Sequence, residues 1–166
     1  MSERHVIEND WVTRAGYRAV ALFIHGSHRT GYVSVPPTHP FFGKEYNQDS
    51  GLALPPETEI GKRGPIDVFV NSFKETCDVG FLFDVHGGIT YSRSGKDYPV
   101  ENNPDENWWF GFDCAHLGDL REGETASPWE PMATHKSLAY VEDECESLAD
   151  QLKKYELNRL KNEDRE

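Results

Sequence analysis

The most informative stretch of this sequence is the aromatic run Trp108-Trp-Phe-Gly-Phe-Asp-Cys-Ala115. Aromatic residues favour strands, and the run stops at His116-Leu-Gly-Asp119, which is typical of a turn. We therefore predict a strand. Alternate side chains of a strand point to opposite faces, so one aromatic face is expected to fill the core, and the other, with Trp109, either faces a ligand or is also part of the core.

Working outward, shorter apolar runs predict further strands. A hairpin is predicted from Arg18-Ala-Val-Ala-Leu-Phe-Ile-His25 and Gly31-Tyr-Val-Ser-Val35, which are separated by a Gly-containing turn. A further strand is predicted at Val79-Gly-Phe-Leu-Phe-Asp-Val85, and Ile66–Val70 is a candidate for the start of another. Residues 36–65 carry Pro, Gly and Asn/Asp without a periodic pattern, which predicts a long loop that either covers a site or is a surface excursion.

One helix is predicted near the C-terminus. Apolar residues recur there at intervals of four, three, four and three, which places them on one helical face: Val141, Cys145, Leu148, Leu152 and Tyr155. Ser137 is the expected N-cap. The stripe is short, so we expect it to pack on the sheet, with a coiled-coil homodimer as the alternative.

These elements predict a single α+β domain. We expect a mainly antiparallel or mixed sheet with long loops and the amphipathic helix packed on it. The predicted division is an N-terminal segment (1–16), the domain (17–157) and a charged, frayed tail (158–166). A chain of 166 residues can bury a core without disulfides, and three widely spaced cysteines (Cys77, Cys114 and Cys145) are expected to be reduced.

The net charge of −12 excludes some classes of partner. Residues 101–130 carry eight acidic side chains and a single basic one, Arg121. Such a surface repels phosphodiester backbones, so no nucleic-acid polymer is expected as a partner, whereas a small anionic ligand is compatible with it. The sequence contains no apolar run of about 18 residues and no apolar N-terminal region, so neither a membrane span nor a signal peptide is expected.

Polar residues that could carry chemistry follow the predicted strands, where a rigid sheet can hold a site. They are His25, His28, Arg29, His86, Asp113, His116 and Asp119.

Three interpretations of these groups stay open. Two histidines at strand ends, His86 and His116, with Asp113 or Asp119, suit general acid–base catalysis. His86, His116 and Asp119 could instead ligate a divalent metal, although no standard metal-binding spacing is present, and otherwise no cofactor is expected. In the third interpretation the same side chains hydrogen-bond a bound ligand.

The remaining candidates describe a pocket for a phosphorylated, nucleotide-like molecule. Arg29 and Lys44, with His28 beside them, are expected to pair with phosphates. His86 is followed by Gly87 and Gly88, which form either a plain turn or a backbone site for an anion. Trp109 or Tyr91 is expected to stack on a base.

Several motifs together resemble a family of uncharacterised proteins encoded largely by tailed bacteriophages. They are Gly26-Ser-His-Arg-Thr-Gly-Tyr-Val33, His39-Pro-Phe-Phe-Gly-Lys-Glu-Tyr46, His86-Gly-Gly-Ile-Thr-Tyr91, Trp108–Asp119 and Tyr140–Leu152. The resemblance covers about residues 17–152 and implies a phage protein that acts in the cytoplasm of the host bacterium. By analogy with small phage proteins that disarm nucleotide-signalling immunity, it also implies an anti-defence role.

The leading hypothesis is therefore a protein that binds and sequesters a small phosphorylated immune signal. The first alternative is a phosphodiesterase-like hydrolase that degrades such a signal with His86 and His116. The second is an acidic interaction module that inhibits a host protein.

Overall fold

The computed structural model describes residues 5–53, 62, 75–96, 98–101, 107–116 and 118–164. It contains a five-stranded sheet, a two-stranded sheet and a C-terminal helix. The elements are β1 (His5–Val12), β2 (Arg18–Ile24), β3 (Arg29–Val35), β4 (Asp49–Ala53), β5 (Thr76–Asp78), β6 (Tyr91–Ser94), β7 (Trp108–Asp113) and α1 (Leu138–Asp164).

The large sheet has the strand order β1-β2-β3-β7-β6, and every neighbouring pair is antiparallel. The predicted hairpin is confirmed as β2 and β3, with a turn closed by a hydrogen bond from the Ile24 amide to the His28 carbonyl (2.8 Å). The aromatic run is confirmed as β7, and it pairs with β3 in the middle of the sheet. The predicted single α+β domain with an antiparallel sheet is thus the fold that the structure shows.

The predicted helix packs on the sheet through the predicted stripe. Ser137 caps it, because its hydroxyl accepts a hydrogen bond from the Tyr140 amide (3.1 Å). The stripe is fully buried at Val141, Cys145, Leu148 and Leu152, and Tyr155 packs against the same core. Among the described residues, no helix combines the length and the apolar composition that a bilayer crossing requires.

Helix and sheet approach most closely at Gly31 of β3. A Cβ atom at this position would lie 2.5 Å from the Phe112 ring and 2.9 Å from the Cys145 sulfur. Such distances are far inside van der Waals contact, so only glycine permits the observed packing. Gly31 thereby joins β3, β7 and α1 in one core, and all three elements also build the site described below.

The opposite face of the sheet is also covered. Trp109 is fully buried there, packed with Val20, Leu22, Tyr32 and Val100. The expectation that this aromatic face is open to a ligand is therefore wrong for Trp109, because its ring has no contact with solvent.

The predicted strand at Val79–Val85 is wrong, because none of these residues lies in a strand. Val79–Leu82, predicted as part of a strand, form a 3-10 turn whose amides at Val79 and Gly80 donate to the carbonyls of Gln48 and Tyr46 (both 2.8 Å). A short apolar run does not distinguish a strand from another buried segment.

The ends of the chain and one of its predicted loops add structure that was not predicted. β1 lies within residues 1–16, β4 lies within the predicted loop 36–65, and α1 continues to Asp164. The predicted strand at Ile66–Val70 lies outside the described residues.

The buried face of α1 predicts a clear stability difference between two leucines of the same helix. Leu148 is fully buried, whereas Leu157 is 47% exposed. We expect Leu148→Ala to lower the free energy of unfolding by about 2–5 kcal/mol, because it leaves a cavity, and Leu157→Ala to change it by less than ~1 kcal/mol. Urea denaturation followed by fluorescence measures both. Equal losses in the two variants would contradict the packing of this face on the sheet.

Candidate functional site

The antiparallel pairing of β3 and β7 brings two of the predicted segments together. Asp113, the last residue of β7, pairs with Thr30, and the Cys114 amide donates to the Arg29 carbonyl (3.0 Å). The segment that follows β7 is held by its own carboxylates. Asp113 accepts the Ala115 amide (3.1 Å), and Asp119 accepts the His116 amide (3.1 Å).

A buried ionic network lies behind this segment, with Asp119 at its centre. The Asp119 side chain is 1% exposed, and its Oδ2 lies 2.7 Å from His86 Nε2. Its Oδ1 lies 3.1 Å from Lys136 Nζ. Burial alone raises the pKa of this carboxyl, but the hydrogen bonds from His86, from the His116 amide and from Lys136, with the electrostatic effect of His86, outweigh burial and lower it. Asp119 is therefore ionised.

His86 is held at both ring nitrogens. Nε2 faces the ionised Asp119 and so carries the hydrogen of that contact, while Nδ1 lies 2.7 Å from the Tyr140 hydroxyl. Burial, followed by the charge of Glu144, raises the pKa of Tyr140 to about 12, so its hydroxyl is neutral near pH 7. His86 is thus a buried member of a network and not an open acid or base.

A second His–Asp pair lies beside the first, and its side chains are partly exposed although His116 Nε2 itself is buried. His116 Nε2 lies 3.1 Å from Asp113 Oδ1, and their side chains are 34% and 28% exposed. Contact with His116 lowers the pKa of Asp113 to about 2, and the Thr90 hydroxyl (3.0 Å) also stabilises the carboxylate. The His116 and His86 rings are 6.1 Å apart between centroids. Of the two predicted histidines, His116 is the accessible one.

The glycines after His86 serve the packing of the site. Gly87 has a φ of +69°, and a Cβ there would lie 2.3 Å from the His116 ring. The amides of His86, Gly87 and Gly88 donate to Glu144 (2.9 Å), to the carbonyl of residue 62 (3.1 Å) and to the carbonyl of residue 85 (2.8 Å). The predicted anion site in this turn is therefore wrong, because all three donors are already used within the protein.

An open groove of about 500 Å³ borders the accessible pair, within the ordinary range for small-molecule sites. It is lined by Ala115, His116, Asp119, Leu120, Arg121, Glu124, Thr125, Ser127 and Glu130. Two of the acidic side chains are bound to backbone amides, since Glu124 accepts from Arg121 (3.0 Å) and Glu130 from Gly118 (3.2 Å). No carboxylate of the described residues ion-pairs with the guanidinium of Arg121, which is an exposed residue.

His28 and Arg29 lie at a separate, much smaller cavity of about 30 Å³, which is room for about one water molecule. The Arg29 guanidinium binds Glu8 of β1 (2.7 Å) and the Lys136 carbonyl (2.9 Å). Burial lowers the pKa of His28, the negative charge of Asp113 opposes this shift, and His28 is neutral near pH 7. The expected role of Arg29 as a phosphate ligand does not fit this geometry, because its side chain is engaged by Glu8.

Three other candidates lie away from the groove. The Lys44 carbonyl accepts the Trp108 indole (2.9 Å), which places Lys44 at the start of β7, roughly 17 Å along the strand from Asp113. Tyr91 packs with Tyr32 on the far face of the sheet (5.2 Å), the same face as the buried Trp109. The structure therefore does not bring Lys44, Tyr91 and Trp109 to the site.

The structure adds residues that the sequence did not single out. Tyr140, Lys136 and Thr90 support the two His–Asp pairs, and no sequence signal marks them because they come from distant segments. Arg121 had a signal, since it is the only basic residue among the acidic ones of 101–130.

The described side chains favour neither nucleophilic attack by a cysteine thiolate nor the binding of a metal ion. Burial, and next the charges of Asp119 and Asp113, raise the pKa of Cys114 to about 12, so its thiol is not ionised near pH 7. All three cysteines, Cys77, Cys114 and Cys145, are free and buried. Within the described part of the chain, no group of three His, Cys, Asp or Glu side chains is placed to hold a metal ion, and the predicted ligands His86 and Asp119 instead bind each other.

Comparison with known proteins identifies no relative of this fold or sequence: no family model, no curated protein and no solved structure matches the chain.

Proposed function

We propose that the protein is a hydrolase that cleaves a phosphodiester bond of a small nucleotide-type ligand bound in the groove beside His116. The observation that carries this proposal is the accessible His116–Asp113 pair, in which a partly exposed imidazole lies against an ionised carboxylate. This arrangement suits general acid–base catalysis, because the carboxylate stabilises the imidazolium that forms when the histidine accepts a proton.

Arg121 supplies the complementary charge for a phosphate. It lines the same groove as His116, and it is an exposed residue. A guanidinium binds two phosphate oxygens at once, and no described carboxylate competes for it. Arg121 takes the role that the sequence had suggested for Arg29 and Lys44.

In the proposed hydrolysis, His116 takes up one proton and then gives it back. His116 accepts a proton from a water molecule at Nδ1, since Nε2 is buried against Asp113, as the water oxygen forms a new bond to phosphorus. The bond from phosphorus to the leaving oxygen breaks, and the proton on His116 passes to that oxygen. The products are a phosphomonoester and an alcohol, and His116 returns to its neutral form.

The buried network positions this chemistry without touching the ligand. Asp119 holds the His116 amide, while His86 and Lys136 hold Asp119. These contacts fix the backbone of the segment between β7 and the groove. His86, predicted as a catalytic partner of His116, is in this proposal a positioning residue.

A second candidate function, sequestration of the same ligand, is favoured by the state of His86. A two-histidine mechanism needs two accessible rings, and both nitrogens of His86 are already bound. If His116 alone does not turn over the ligand, the groove is a binding site only. For both functions, a phage origin and a role against nucleotide signalling in the host cytoplasm remain proposals that rest on the resemblance.

A turnover assay distinguishes these functions. The purified protein is incubated with a panel of cyclic mononucleotides, cyclic dinucleotides and bis(4-nitrophenyl) phosphate, with and without EDTA, and the mixture is analysed by mass spectrometry. We expect many molecules of phosphomonoester product per chain. Unchanged nucleotide, released by heat at about one per chain, would establish sequestration instead. If the protein retains and converts none of the panel, both proposals fail, and the acidic interaction module becomes the remaining hypothesis.

A further inference from the structure

The turn Ser127-Pro-Trp-Glu130 lies at the rim of the groove and carries the most exposed aromatic side chain among the described residues. Trp129 is 93% exposed, whereas tryptophan is on average a highly buried residue. Ser127 and Glu130, the first and last residues of this turn, line the groove. An isolated exposed apolar side chain is ordinary in itself, so the argument depends on how this one is held.

Hydrogen bonds hold the backbone of this turn in place, whereas the exposed Trp129 indole makes little contact with the rest of the protein. The Glu130 amide donates to the carbonyl (3.1 Å) and to the hydroxyl (3.2 Å) of Ser127, and Pro128 fixes φ at the first central position. The Glu130 carboxylate accepts the Gly118 amide (3.2 Å), which ties the turn to the segment that carries Asp119. Trp129 is therefore held beside the groove by the backbone of its turn and by no packing of its own.

Among the described residues that line the groove, none is aromatic. Its apolar lining consists of Ala115 and Leu120, and the aromatic residues expected to contact a ligand, Trp109 and Tyr91, lie on the far face of the sheet. A ligand whose phosphate is bound by Arg121 would therefore have one aromatic side chain, Trp129, close to its ring.

We propose that Trp129 stacks on the base of the ligand and makes the site selective for phosphodiesters that carry a nucleobase or a similar flat ring. This inference rests on the proposed function, because it places the phosphate of the same ligand between Arg121 and His116. Stacking on the exposed indole buries apolar surface of both rings. This burial favours the binding of any nucleobase.

The test compares two esters that differ only in the base. Adenosine 3′,5′-cyclic monophosphate carries one, and the cyclic phosphate of the corresponding 1-deoxyribose does not. We expect Trp129→Ala to raise KM, or the dissociation constant, for the adenosine ester about tenfold, corresponding to ~1.4 kcal/mol, and to leave the base-free ester unchanged. Trp129→Phe should recover most of the affinity. Met132→Ala is the matched control, since Met132 is 86% exposed on the same loop.

A fluorescence measurement separates this inference from the proposed function. The adenosine ester should protect Trp129 from quenching by acrylamide, a neutral quencher unaffected by the charge of the protein. Protection without hydrolysis supports stacking and rejects the hydrolase. Hydrolysis that does not discriminate between the two esters, or that Trp129→Ala impairs equally for both, rejects stacking and leaves the hydrolase. Neither protection nor hydrolysis overturns both.

Discussion

Replacing His116 with glutamine is expected to lower kcat for phosphodiester hydrolysis by about 10²–10⁴-fold, the usual contribution of a general acid–base residue. Glutamine keeps the approximate length of the side chain and can still donate a hydrogen bond to Asp113, but it cannot accept and return a proton. The affinity for the ligand should therefore change little, and the loss should appear in kcat and not in KM.

The matched control for His116 is another histidine at a strand end. His25 follows β2, is exposed and lies outside the groove, so His25→Gln should keep the activity of the unmodified protein. Circular dichroism and urea denaturation establish that both variants are folded. If kcat of the His116→Gln protein stays within about threefold of the original, the acid–base role assigned to the His116–Asp113 pair is wrong.

Replacing Asp119 with alanine is expected to lower the free energy of unfolding by about 3–5 kcal/mol, because it removes one partner of a buried ionic network. The carboxylate is almost fully buried and holds Lys136, His86 and the His116 amide. Without it, the Lys136 ammonium, which is 17% exposed, keeps its charge in a site that solvates it poorly.

A double variant tests whether the unpaired charge causes this loss. Lys136→Met removes the ammonium and keeps much of the apolar stem, so Asp119→Ala combined with Lys136→Met should be more stable than Asp119→Ala alone. Urea denaturation of the four proteins in this cycle measures the coupling. A loss below about 1 kcal/mol in Asp119→Ala, or no recovery in the double variant, would show that the network contributes little to stability.

Local sequence patterns were sufficient for the elements whose side chains repeat regularly. The 3.6-residue periodicity of α1 predicted its buried stripe, because one face of a helix must be apolar to pack on a sheet, and the capping preference of serine predicted its Ser137 cap. The β-branched and aromatic runs predicted β2, β3 and β7 in the same way. Two of the candidate histidines do follow these strands, His25 after β2 and His116 after β7, whereas His86 lies in the loop after the 3-10 turn Val79–Leu82.

The environment of each candidate side chain depended on pairing between distant segments. Trp109 has the same sequence context as an exposed aromatic strand residue, and only the chain packed on the far face buries it. Arg29 was expected to be free for a phosphate, but β1, an unpredicted edge strand, brings Glu8 to its guanidinium.

Composition and periodicity alone thus determined that this chain forms an α+β fold with an antiparallel sheet, one helix and polar residues at strand ends. The tertiary structure alone decided that His86 is closed off by Tyr140 and Asp119 while His116 opens to the groove. The physical reason is that periodicity reports which face of an element is apolar. The partner of a polar group, however, is set by long-range pairing such as that between residues 86 and 140, which no local pattern encodes.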